Sequence, residues 1–129
     1  MSHKIRRIVW LSILAVFIIG ACAPAVDEAT RSVELYLQAL AQKDEDSLLA
    51  QICPEYESDA LLEFDALQGV QTKLSELSCA RVGGQDATAQ VNCQGKLLAS
   101  YQNEVQEFDL SGRTYQVERR DGDWLVCGY

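Results

Sequence analysis

The chain has 129 residues, with 11 Lys and Arg against 19 Asp and Glu, and a formal charge of −8. Lys4, Arg6 and Arg7 stand at the start and every acidic residue follows residue 21, so residues 22–129 carry eight cations against 19 anions, or −11. Such a surface repels phosphate backbones and excludes nucleic acid as a partner, and the length allows one domain with one modest core.

The N-terminus has the three parts of a secretory signal: a basic start, an apolar centre from Ile8 to Ile19, and small residues at Gly20-Ala21. The apolar run is shorter than the about 20 residues that cross a bilayer. Ile19-Gly20-Ala21-Cys22 resembles the lipobox of bacterial lipoprotein precursors. That resemblance implies cleavage before Cys22 and lipidation of its sulfur, with a membrane as partner and the extracytoplasmic face of the cell envelope as location. An uncleaved anchor, or a cut near Ala21 or Ala23 without lipid, are the alternatives. The expected organisation is a signal over 1–21, a lipidated linker over 22–26 and a domain over 27–129.

Four cysteines follow Cys22, namely Cys53, Cys79, Cys93 and Cys127. An even number in a small exported domain reads as two disulfides with three connectivities open. No CxxC pair exists and the one histidine, His3, precedes Cys22, so no metal site and no cofactor are expected. The carboxylates of Asp44-Glu45-Asp46 and of Glu55, Glu57 and Asp59 lack the glycine of a calcium loop, and capping with solvation accounts for both runs.

From Asp27 the pattern is helical. Ala29, Val33, Tyr36, Leu37 and Leu40 recur at spacings of three and four, and the helix is expected to stop near Lys43. Asp44 suits the N-cap of a second short helix that buries Leu48, Leu49 and Ile52 and ends by Pro54. A third helix over 55–68 would bury Tyr56, Ala60, Leu61, Phe64 and Leu67, with Gly69 closing it.

The second half is strand-like. From Ala87 to Tyr101 the odd positions are apolar or small and the even ones polar, except Leu98. This is the period of a long strand with one buried face. A preceding strand over 74–82 joins it through Gly83-Gly84-Gln85-Asp86, and antiparallel pairing sets Cys79 opposite Cys93 and Leu77 opposite Gly95. Cys79–Cys93 is therefore the first expected bridge and leaves Cys53 for Cys127, although Cys127 counts as pointing off the core face. A third strand changes parity between Phe108-x-Leu110 and Tyr115-x-Val117, which predicts a bulge at Ser111-Gly112. In that register Phe108 and Leu110 face Ala99 and Leu97, and Tyr115 and Val117 face Cys93 and Val91. Asp121-Gly122 is a hairpin signal that returns the chain through Trp124 and Val126 on the face of Val117.

The expected fold is α+β, two or three N-terminal helices packed on a curved four-stranded antiparallel meander. The helix-one pattern VELYLQALAQKDEDSLL, the long alternating strand and the closing RRDGDWLVCGY resemble the nuclear transport factor 2-like, or cystatin-like, roll over about 27–129. The resemblance implies a cone whose interior serves isomerases and dehydratases through an Asp or His base with a Tyr or Asp donor, and serves others as a binding site. The only inward carboxylate expected here is Asp65, a weak catalytic candidate, with Tyr36, Tyr101 and Tyr115 as tyrosines near it. Tyr36, Tyr56, Phe64, Tyr115 and Trp124 are the candidate lining of a pocket for a small apolar ligand, or else they simply fill a small core. The function expected is a non-catalytic, membrane-tethered domain that binds such a ligand or an envelope protein. The alternative is a small isomerase or dehydratase using a cone-interior carboxylate.

Overall fold

The computed structural model of the chain describes residues 26–129. The expected signal, the lipobox and Cys22 lie outside them. Among the described residues no helix is long and apolar enough to cross a membrane.

Helix α1 spans Glu28–Gln42. Asp27 caps it by accepting from the Thr30 amide, and Lys43 ends it in the left-handed region at φ 58°. All five residues of its expected apolar stripe are buried. Helix α2, Glu45–Leu49, starts at Asp44, whose side chain accepts from the Ser47 amide. The expected third helix is divided: a 3-10 turn at Pro54–Tyr56 leads into α3, Glu57–Ala66. Tyr56, Ala60, Phe64 and Leu67 are buried as the spacing requires.

Strand β1, Gln71–Gly83, pairs antiparallel with β2, Thr88–Tyr101, and Cys79 lies opposite Cys93. The expected third strand is two strands. β3, Glu104–Asp109, pairs with the second half of β2, whereas β4, Thr114–Arg120, pairs with the first half. β5, Asp123–Gly128, pairs with β4 through the Asp121-Gly122 hairpin, both of whose residues have positive φ. The sheet therefore has five strands and not four.

The faces of the expected register are right but its pairs are two residues out. Phe108 lies opposite Leu97, Tyr115 opposite Val91, and Val117 opposite Ala89. The reason is a hairpin tighter than the sequence suggested, since Tyr101 already pairs with Glu104 across Gln102 and Asn103. A shift of two preserves which face each side chain occupies, because the strand period is two.

The bend sits at Gly95. It falls between the two halves of β2, and opposite it β1 carries an extra residue between Ser75 and Ser78, so Glu76 and Leu77 share the place kept for Leu77 alone. Gly95 has φ 107°, and a Cβ there would lie 2.6 Å from the Ser75 carbonyl oxygen. Only glycine fits that backbone and that approach. Its own carbonyl accepts from the Leu110 amide at 3.0 Å, which turns the chain from β3 toward β4.

Cys53 pairs with Cys127, with Cα atoms 4.9 Å apart. The difficulty over the direction of Cys127 is met by the chain before it. Residues 51–53 run along the outer edge of β5, with the Cys53 amide donating to the Val126 carbonyl and the Val126 amide to the Gln51 carbonyl, both at 2.8 Å. That places Ile52 beside Val126 as a parallel bridge and brings the two sulfurs together at the sheet edge.

Replacing Gly95 by alanine should lower stability in urea by about 2–4 kcal/mol, through forced φ and backbone collision. A loss under about 0.5 kcal/mol would show that the bend does not depend on this residue.

Candidate functional site

The concave face of the sheet and the helices meet over a cluster of tyrosines. Tyr36 comes from the middle of α1, Tyr56 from the 3-10 turn, Tyr115 from β4 and Tyr129 from the residue after β5. Ring centroids are 6.3 Å apart for Tyr36–Tyr56, 6.2 Å for Tyr36–Tyr115 and 5.5 Å for Tyr115–Tyr129, at tilted or edge-on angles favoured by aromatic quadrupoles. Tyr36 and Tyr115 are completely buried. Tyr36, Tyr56 and Tyr115 are packed into the core between helices and sheet.

One charged pair closes the mouth. Glu63, on the same stripe of α3 as Ala60 and Phe64, takes a hydrogen bond from the Tyr36 hydroxyl on Oε2 at 3.0 Å. The Arg113 guanidinium donates to Oε1 at 2.6 Å. Arg113 also lies over the Tyr129 ring, 4.3 Å from its centroid. Burial by itself would lower the Arg113 pKa, but the hydrogen bond and charge of Glu63 outweigh it and hold the guanidinium firmly protonated. Both oxygens of Glu63 are thus engaged by donors, an arrangement suited to fixing a carboxylate and poorly suited to lifting a proton from a substrate.

The tyrosines respond to the same surroundings. Burial, then the charge of Glu63, pushes Tyr36 far above the ordinary phenol range. Burial raises Tyr56 to about 12. Burial raises Tyr115 to about 12 as well, although the nearby Arg113 charge works the other way. The Tyr115 hydroxyl is buried without a hydrogen-bond partner.

Of the expected pocket residues, Tyr36, Tyr56 and Tyr115 are brought together here, and Phe64 is buried next to Glu63 along α3. Trp124 stands apart. It is half-buried, with the Arg81 guanidinium over its ring at 5.1 Å, and it borders a cleft of about 380 Å³ between α1, Ala50-Gln51 and the β4–β5 hairpin. Asp65 is exposed, so the inward carboxylate is Glu63 and not Asp65, and Tyr101 is exposed at the far end of β2. The helical period explains the correction: Ala60, Glu63 and Leu67 lie on one stripe, and Asp65 falls across from it. Arg113 stands just ahead of β4, two positions before Tyr115, where the strand period carried back by one step puts it on the same face. Nothing in the sequence marks Tyr129 as a contact of both.

A second convergence lies at the sheet edge, where Cys53, Cys127, Glu55 and Glu118 bring their ligand atoms within 4.8 Å of one another. The two sulfurs are spent on each other, and Arg120 engages both carboxylates, Glu55 through a two-pronged contact and Glu118 at 2.7 Å. Chemically this is a crosslink reinforced by ion pairs.

No protein-family model and no curated protein matches the sequence. Solved structures do resemble the fold. A ketosteroid isomerase-like protein from Shewanella frigidimarina superposes with a TM-score of 0.55 at 14% identity, covering 78% of this chain and 91% of the other. An NTF2-like protein with a cystatin-like fold from Novosphingobium aromaticivorans gives 0.51 at 13% identity, over 77% and 75%. RPA3114, a SEC-C motif containing protein from Rhodopseudomonas palustris, gives 0.51 at 14%, over 78% of each chain. The chain thus has the NTF2-like, cystatin-like cone fold, three helices on an antiparallel sheet. Identities this low carry the fold and nothing about chemistry.

Two outcomes follow. The phenol pKa values of Tyr56 and Tyr115 are raised from 10.0 in the unfolded chain to about 12 in the fold, so their contribution to stability is whole below pH 10 and is lost as pH climbs toward 12. Unfolding in urea at pH 8, 9 and 11.5 should show no change over the first interval and a clear fall over the second. Tyr115→Phe removes an unpartnered hydroxyl and should leave stability unchanged or raise it by up to about 2 kcal/mol. A loss of more than about 1 kcal/mol would mean that the hydroxyl has a partner, such as bound water.

Proposed function

We propose that this chain is a lipid-tethered domain of the bacterial cell envelope that works by holding or presenting a partner rather than by catalysis. The observation that carries the non-catalytic part is the closed mouth: Glu63 is bound on both oxygens by Tyr36 and Arg113, over the buried rings of Tyr36 and Tyr115. An interior base needs a free, desolvated carboxylate with room for substrate beside it. Glu63 is not free in this arrangement, and Asp65 is exposed to solvent.

The tether rests on the sequence before the described residues, where the basic start, the apolar run and Ile-Gly-Ala-Cys22 stand in order. Two cysteine pairs at bridging distance support an oxidising compartment. One acyl chain anchors a protein only marginally, so stable attachment needs the several chains that lipobox processing supplies. The partner reading is a protein or a small apolar molecule held at the surface.

A second reading, a small isomerase or dehydratase, has one observation on its side, the unpartnered Tyr115 hydroxyl in the interior. It requires the Glu63–Arg113 pair to part and the rings to move. A rise in melting temperature with a lipophilic metabolite, lost in Glu63→Gln, would favour it.

Cys22→Ala should keep the N-terminal segment and carry no acyl chains, both read by intact mass of protein from cell extracts. Normal processing of that variant would remove the lipid from the proposal.

A further inference from the structure

We propose that the end of the cone carrying Trp124 is the face this domain sets against the lipid surface, with the Trp124 ring and the Arg81 guanidinium at headgroup level. The inference rests on the lipid tether at Cys22.

The position of α1 fixes the two ends. At its start, Asp27 Oδ2 lies 3.6 Å from Arg81 Nε, and the same guanidinium lies over Trp124. At its other end, the Ala41 carbonyl accepts from Thr72 Oγ1 at 2.5 Å, where β1 begins. Gln71 in turn lies opposite Ser100, the neighbour of Tyr101. A 15-residue helix rises about 22 Å; Trp124 shares a cleft with Glu28, Arg31, Ser32 and Leu35 along its first half, whereas the β2–β3 hairpin adjoins its far end.

The tether is shorter than the helix. From Cys22 to Asp27 the chain can reach at most about 18 Å, at 3.3–3.6 Å for each residue. A lipid on Cys22 therefore keeps the start of α1 close to the bilayer, together with what surrounds it. Those surroundings suit an interface: a half-buried tryptophan, an arginine stacked on it, and the exposed Val26 and Val82. Tryptophan favours the headgroup layer because its ring is apolar with one polar edge, and arginine can lay its stem on apolar surface while its head stays wet. Glu28, Asp121 and Asp123 share this end, so attraction to anionic lipid does not set the orientation. Tether reach and the aromatic surface do.

Trp124 is its own probe, since the chain's other tryptophan is Trp10 and precedes Cys22. Lipidated protein purified from membranes is reconstituted into phosphatidylcholine vesicles with and without bromine near the top of the acyl chains. Bromine should quench Trp124 emission by about half or more, as expected for a ring at the interface. A Trp124→Phe, Tyr101→Trp double variant should lose no more than about a tenth, its ring standing beyond contact range of the lipid. Unquenched Trp124 in protein that floats with the vesicles would overturn the orientation, and so would equal quenching in the double variant, which would mean a domain lying on its side. Intact mass separates the two failures. If Cys22 carries no lipid and the protein does not float, the tether falls and the orientation falls with it; if it is lipidated and floats without quenching, the orientation alone is wrong.

Discussion

The geometry of this domain depends on one backbone position that cannot carry a side chain. Gly95 lets β2 turn while the bulge of Glu76 and Leu77 lengthens β1 on the outer path. A flat strand of this length would hold one partner along its whole side. A bent one takes β3 along its second half and β4 along its first, with Leu110 tied to the Gly95 carbonyl at the corner. The concavity that results is what α1 covers, and it determines where Tyr36 and Tyr115 meet. Curvature made this way is a property of the backbone, and the apolar residues then fill the volume it leaves.

Within that volume, polar groups are handled in two manners. At the mouth Glu63 is matched by Arg113 and Tyr36, so a partly buried charge has donors on each oxygen. The buried Tyr115 hydroxyl has no such match. A pair of this kind is worth little as net stabilisation, but parting it is costly because each charge is then left poorly solvated. It therefore acts as a latch on the arrangement of α3 against β4.

Much of the fold was legible because its signals are local and periodic. The spacing from Asp27 onward marks α1, Asp44 marks the N-cap of α2, and the alternation from Ala87 to Tyr101 marks β2 together with the Cys79–Cys93 pairing. The parity change after Leu110 was read as a bulge where the chain makes a full break between two strands, since parity counts residues and is blind to how sharply they turn. The register slipped by two for a related reason: hairpin tightness is set by Gln102 adopting positive φ, which its residue type does not advertise. The site was less legible. A charged residue advertises solvent by its type, which hides Glu63 and Arg113, although Glu63 shares the stripe of Ala60 and Phe64 and Arg113 precedes Tyr115 by one strand period. The strand period gives the face of Trp124 and so sets it with the other aromatics, and no pattern in the chain says that Arg81 claims it.

The Cys53–Cys127 bridge spans a sequence separation of 74, and the Cys79–Cys93 bridge is nested inside it. A protease that cuts any one loop between residues 53 and 127 therefore opens a ring without detaching a fragment, and the nicked halves stay covalently joined. A cut at the turn between α1 and α2 has the opposite result. It lies before Cys53, so α1 and whatever precedes it would be held to the sheet by packing alone. Covalent separation of the sheet from the chain before it thus needs a cut ahead of Cys53, while a cut inside the ring leaves the sheet joined.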